Sequence, residues 1–118
     1  MEYLLLIYDN EADFDKMSPS EQGAMLAEFG RFTQGIQQSG NFRARKQLQP
    51  VATATTVRVR DGKRTVTDGP FAETREQLGG LYLIEAKDLD EALAIAERIP
   101  AARVGSIEVR PIVPPHAG

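Results

Sequence analysis

Residues 68–80 read DGPFAETREQLGG and gather the side chains of this chain that could do chemistry. Asp68 and Glu73 are carboxylates able to exchange a proton, and Arg75 carries a guanidinium fork that matches a carboxylate or phosphate. In an enzyme, Asp68 or Glu73 would be the acid–base group and Arg75 the anion clamp. The same residues also read as a structural loop. Asp68 can accept N–H bonds from Phe71 and Ala72, Gly69 can take a positive φ, and Pro70 fixes the next bend. Phe71 would anchor that loop to the core, and Glu73–Glu76 would form a helical turn. Gly79 and Gly80 would let two backbones approach closely. The residues alone favour neither reading.

The remaining candidates are weaker. Arg43, Arg45, Lys46, Arg58, Arg60, Lys63 and Arg64 crowd the middle of the chain. They read as a solvated strand face or as an anion-binding patch, in which Arg43 and Arg58 would bind a ligand. Only Phe42 interleaves with them, which disfavours single-strand nucleic-acid binding. Tyr82 lies in a strand and would either pack or line a cleft with its hydroxyl. His116 is the only histidine and sits after Pro114-Pro115, where a solvated tail is the simpler reading. Without cysteine there is no disulfide, no thiolate metal site and no thiol nucleophile. No serine has the setting of a nucleophile, and the glycines lack the spacing of a phosphate loop. Neither a metal nor a cofactor is expected.

The elements that must position these residues are legible. The 118 residues are 42% hydrophobic and 26% charged, which fits one soluble domain over 1–118. A net charge of −3 argues against a general nucleic-acid partner. The apolar run YLLLIY (3–8) is too short to span a membrane and reads as a central strand with apolar residues on both faces. No membrane partner is expected, and a cytoplasmic location follows by default. DNEADFDKM reads as a polar connection. Ser18, Pro19 and Glu21 then open a helix with a capping box, and Met25, Phe29, Phe32 and Ile36 form its apolar stripe. Ser39-Gly40 closes it. Residues 41–50 are a weak strand. TTVRVR (55–60) and KRTVT (63–67) flank Asp61-Gly62, a hairpin signal. GGLYLIEA (79–86) is a buried strand. Asp88 and Glu91 cap a second helix with Leu89, Ala92, Leu93, Ala96 and Ile99 inward and Pro100 as its stop. SIEVRPIV (106–113) is the last strand. The order is βαββαβ with an extra β-hairpin, a ferredoxin-like α+β fold. Two helices cover one face of such a sheet, so a homodimer is expected to cover the other.

DGPFAETREQLGG resembles the DGPFAETKE signature of the YCII-related superfamily, in its DGPF-domain branch, with Arg75 in place of the usual lysine. The likeness extends through TVRVRDGKRTVTDGPF, LYLIEAKDLDEALAIAERIP and GSIEVRPI, nearly the whole chain. It implies a dimeric α+β barrel of bacterial origin, with genes often beside those of extracytoplasmic-function sigma factors. The short branch of that superfamily uses a proposed His–Asp pair. Its histidine has no counterpart between Ser18 and Gly40, and its aspartate is replaced at Ile99-Pro100, so that chemistry does not carry over. The leading expectation is a small, anionic ligand held in a cleft near residues 68–80. The rivals are a regulatory module tied to sigma-factor-dependent transcription and a cofactor-free oxygenase-like enzyme, the latter by fold analogy.

Overall fold

The computed structural model describes residues 1–115, so His116 lies outside the described residues. In chain order the elements are β1 (Glu2–Asp9), α1 (Glu11–Asp15), α2 (Pro19–Gln38), β2 (Phe42–Gln47), β3 (Thr55–Arg60), β4 (Lys63–Asp68), β5 (Gln77–Glu85), α3 (Leu89–Ala96) and β6 (Ser106–Pro111). β2, β5, β1 and β6 form one antiparallel four-stranded sheet in that order. This is the ferredoxin-like arrangement, with β3 and β4 inserted as a separate two-stranded ribbon. No helix among the described residues is long and apolar enough to cross a membrane.

Alternation along the strands sorts the side chains. Tyr3, Leu5, Ile7, Tyr82 and Ile84 point to the helices and are buried. Their neighbours Leu4, Leu6, Leu81 and Leu83 pair as Leu4–Leu83 and Leu6–Leu81 on the opposite face, half-buried. β1 is therefore apolar on both faces, as its run of residues suggests, but only one face is fully covered within the chain.

α2 begins as the sequence indicates. Ser18 accepts from the Glu21 N–H, Glu21 returns a bond to the Ser18 N–H, and Pro19 fills the first turn. Phe32 and Ile36 are buried in the core, whereas Met25 and Phe29 are only half-buried. The stripe is longer than the core beneath it, so the first half of α2 overhangs open space.

Six local expectations change. The connection after β1 contains the short α1, capped by Asn10. α3 turns Ala92, Ile95 and Ala96 inward, while Leu89 and Leu93 are nearly half exposed. It stops at Ala96, and Ile99 is buried in the turn that follows. Glu91 does not close a capping box there; its carboxylate takes the Lys87 N–H and the Asn41 side chain instead. Residues 69–76 form bends, not a helical turn. Phe71 is 78% exposed and anchors nothing within this chain, in a stretch whose backbone is bent.

Gly105 has a specific packing role. It follows the turn Pro100–Arg103 and enters β6 against the end of β1, where a Cβ would overlap the Tyr8 carbonyl oxygen. Gly23, on the exposed side of α2, has nothing within contact distance of such a Cβ. Gly105→Ala should destabilise the fold by about 1–3 kcal/mol, the usual cost of forced overpacking. Gly23→Ala should stabilise it by roughly 0.5–1 kcal/mol through helix propensity. Chemical denaturation of the two variants checks the opposite signs.

Candidate functional site

The overhang of α2 encloses a cavity of about 440 Å³ between that helix and the helix-facing side of the sheet. Met25, Leu26 and Phe29 form its roof, Gly79–Tyr82 and Arg45–Leu48 its floor, and Phe14 and Met17 one wall. Asp9 and Glu11, both half-buried, also line it, and Asp13, Asp15, Arg45 and Lys46 line it where it opens to solvent. The interior is aromatic and thioether-rich, with few charges. That is the usual make-up of a small-molecule site: apolar walls and a small number of placed polar groups.

Two charged side chains define its chemistry. The first is Asp9. Odd-numbered residues of β1 face the helices, so Asp9 continues the side that carries Tyr3, Leu5 and Ile7. The pairing slips between Ile7 and Tyr8: Ile7 faces Gly80, Tyr8 faces Leu78, and Gly79 is left over as a bulge. The bulge sits beside the carboxylate, since a Cβ on Gly79 would lie 3.5 Å from Asp9 Oδ1. Burial raises the Asp9 pKa above the ordinary carboxylate value, and the charges of Glu11, Glu76 and Asp13 raise it further. Two of those neighbours are tied down. Glu11 accepts the Val51 N–H at 3.0 Å, and Glu76 accepts the Ser106 hydroxyl at 2.8 Å. Among the described residues no hydrogen bond engages the Asp9 carboxylate.

The second is Arg45, which faces Tyr82 across the β2–β5 ladder. Its guanidinium carbon stands 5.5 Å from the Tyr82 ring centre and 5.8 Å from that of Phe29. Both distances are within cation–π range, and the two rings fix where the cation sits. Arg45 forms no ion pair among the described residues, so its donors remain available. Gly80 makes this ladder possible, because a Cβ there would come within 2.9 Å of the Lys46 carbonyl oxygen.

Tyr82 has its hydroxyl committed elsewhere. It is fully buried and stands edge-on to Phe32 at 5.2 Å. Thr33 donates its hydroxyl proton to the Phe29 carbonyl at 2.9 Å, so Tyr82 must be the donor in the 2.7 Å contact with Thr33 Oγ1. The ring lines the cavity while its proton is held by α2.

The other candidates from the sequence do not gather here. Asp68 closes β4 opposite Thr55, with an exposed side chain. The expected bonds from Phe71 and Ala72 to its carboxylate are not formed. The turn is held instead by the Gly69 N–H on the Ala54 carbonyl at 2.7 Å and by Thr56 Oγ1 on the Gly69 carbonyl at 2.8 Å. Gly69 does take a positive φ, of 97°. Pro70, Glu73 and Arg75 are exposed and line no part of the cavity. Arg58 lies on the β3–β4 ribbon, also exposed. Arg43 is the extra residue of a bulge in β2 and turns back on the Gly40 and Phe42 carbonyls. Of the residues singled out by sequence, Arg45, Lys46, Gly79, Gly80 and Tyr82 border the cavity.

Comparison with known proteins gives a consistent family and fold. An uncharacterised protein of Rhizobium meliloti (strain 1021) is 37% identical over 114 residues, covering 95% of this chain and 92% of the relative. Among solved structures, the 5-chloro-2-hydroxyhydroquinone dehydrochlorinase of Burkholderia phenoliruptrix AC1100, in complex with 2,5-dihydroxybenzoquinone, superposes with a TM-score of 0.56. That likeness covers 96% of this chain and 94% of the other at 12% identity, and so speaks to the fold. The model of the YCII-related domain matches residues 1–115, and the chain belongs to that family.

Proposed function

We propose that the protein binds a small, flat, oxygen-bearing molecule in the cavity beneath α2, with an anionic edge on Arg45 and a hydroxyl toward Asp9. One juxtaposition carries this reading: an unpaired cation fixed on two aromatic rings shares a cavity with a carboxylate whose pKa is raised. Arg45 supplies charge-assisted donors to a carboxylate, enolate or phenolate. Phe29, Phe14 and the methionines supply apolar surface for a ring. A carboxyl group with a raised pKa is suited to accept a proton from an acidic hydroxyl and to return it. The structural neighbour, which shares the fold, was solved in complex with 2,5-dihydroxybenzoquinone, and this supports the choice of an oxygenated ring as ligand class.

We also propose that two copies pair through the open sheet face, where Leu4, Leu6, Leu81 and Leu83 form a continuous apolar strip. A second sheet would complete their burial.

Three expectations follow from the residues named. Arg45→Met should weaken binding of hydroxybenzoates or dihydroxyquinones by about 10- to 100-fold, the scale of a lost hydrogen bond to a charged group. Glu73→Gln and Arg75→Met should leave it unchanged. Calorimetric titration of the variants decides this, and equal loss from Arg75→Met would move the site to the loop.

Asp9→Asn should raise the melting temperature at neutral pH. A carboxyl with a raised folded-state pKa binds its proton more tightly in the folded protein. Stability is then lost as pH rises from the ordinary carboxylate value through the raised one. The asparagine variant escapes this loss, so its advantage should vanish near pH 4 and below. Melting curves across pH check the sign, and ligand titration should show weaker binding by the same variant.

Leu6→Glu combined with Leu83→Glu should convert a dimer to a folded monomer in sedimentation experiments. A wild-type protein that sediments as a monomer at micromolar concentration would refute the pairing.

A further inference from the structure

The β3–β4 ribbon is unusual in having two distinct faces and no cover. Register pairs Thr55 with Asp68, Val57 with Val66 and Val59 with Arg64 on one face. Thr56 with Thr67, Arg58 with Thr65 and Arg60 with Lys63 occupy the other. The first face is aliphatic and the second basic. Val57 and Val59 are each 60% exposed and Val66 52%. Neither strand makes more than marginal contact with another element of the chain. A two-stranded hairpin alone in water is marginal at best. The radius of gyration, 16.6 Å, exceeds the roughly 13–14 Å of a compact domain of this length, as a projecting arm requires.

Charge identifies what the arm meets. It carries four cations, Arg58, Arg60, Lys63 and Arg64, against Asp61 and Asp68. The cavity lining carries four carboxylates within seven residues, Asp9 to Asp15, against two cations, Arg45 and Lys46. Beside the mouth, Leu26 is 54% and Leu48 45% exposed, a seat for valines. The arm cannot serve its own mouth. Its base leaves from the rim, where Pro50 lines the cavity and Val51 is bonded to Glu11. Six-residue strands then carry the cations away, toward a tip about 20 Å distant at Asp61-Gly62. The tip turn is set by positive φ at both residues, 52° and 74°, which keeps the ribbon a tight hairpin.

We propose that the β3–β4 arm of one copy docks on the acidic cavity mouth of a second copy, its valine face on Leu26 and Leu48, with Arg64 of that face meeting Asp13 and Asp15 and the long side chains of Arg58 and Arg60 reaching round the ribbon's edge to the same carboxylates. Two-fold symmetry makes the exchange reciprocal, so each copy closes the other's cavity. Each cavity then takes its cover from the partner, and the site beneath α2 is complete only in the pair. This goes beyond the ligand reading and beyond pairing through the leucine face, and depends on neither.

Two measurements test it. The chain has no cysteine, so introduced thiols report without background. A tagged Val59→Cys chain mixed with an untagged Leu26→Cys chain should form the mixed disulfide on mild oxidation at micromolar concentration. Absence of that species overturns the proposal. In sedimentation at low salt, Arg58→Glu with Arg60→Glu should weaken self-association at least tenfold. Asp13→Lys with Asp15→Lys should do the same, and the fourfold variant should regain most of the loss. Dissociation constants equal to wild type in both double variants would place the arm outside the interface, even if the Leu6 and Leu83 variants still separate the copies. Circular dichroism on every variant separates weakened pairing from lost folding.

Discussion

The β1–β5 ladder is the constraint on which the other features depend. Its alternation assigns Tyr3, Leu5, Ile7, Tyr82 and Ile84 to the helices and Leu4, Leu6, Leu81 and Leu83 to the far side. A slip of one residue would exchange the two sets. The one irregularity in the ladder, the bulge at Gly79, lies where β1 runs out of apolar residues and reaches Asp9. The core and the cavity are thus consecutive stretches of the same face. The core ends where the carboxylate begins.

α2 shows the same continuity from above. Its apolar stripe runs without a break from Met25 to Ile36, but only Phe32 and Ile36 are buried in the core, with Phe29 packed against its edge. The first half is held by its cap and by Gln22 on the Phe14 carbonyl at 3.0 Å, and the Tyr82–Thr33 bond ties the second half to the sheet. A buried polar pair of this kind is strongly directional, and losing either partner strands the other. It fixes the roof relative to the floor without filling the space between them. Arg45 then occupies the boundary between packed core and open cavity, bracketed by one ring from each side.

Local signals carried the architecture. Ser18, Pro19 and Glu21, the Asp61-Gly62 turn and the apolar alternations each depend on residues close in sequence, and each appears in the structure. The site was less legible. Asp9 acquires its raised pKa partly from Glu76, a contact that exists only once β1 and β5 pair. Alternation through Tyr3, Leu5 and Ile7 did offer one clue, since it points the next odd residue, an acid, toward the helices. Arg45 offered none. The bulge at Arg43 puts Phe42 and Arg45 on one face although they are three apart, which breaks the parity that a strand reading assumes. Phe71 differs for a related reason: an aromatic reads as an anchor, but in a bent segment residue type does not fix whether the ring packs, and here it is exposed.

Residues 68–80 draw attention because turn-forming and charged residues are concentrated there, and the structure gives that concentration a mechanical reason. The stretch joins a free ribbon to a packed strand, and each end has its own backbone demand. At the ribbon, Gly69 with positive φ closes the base against Ala54. At the sheet, Gly79 forms the bulge beside Asp9, and Gly80 admits β2 at a distance no side chain would tolerate. Between them Thr74, Glu76 and Gln77 bond to Glu76, Ser106 and Glu11, which stitches the joint to β6 and to the head of α1. Thr74, Glu76 and Gln77 therefore serve the connection, and the chemistry we propose lies in what the connection positions. Exchanging Gly79 for a larger residue would act on Asp9 before it acted on the fold, because the side chain nearest to the missing Cβ is that carboxylate. The stretch that looked most like a site is better described as the hinge-plate between the cavity's floor and the arm.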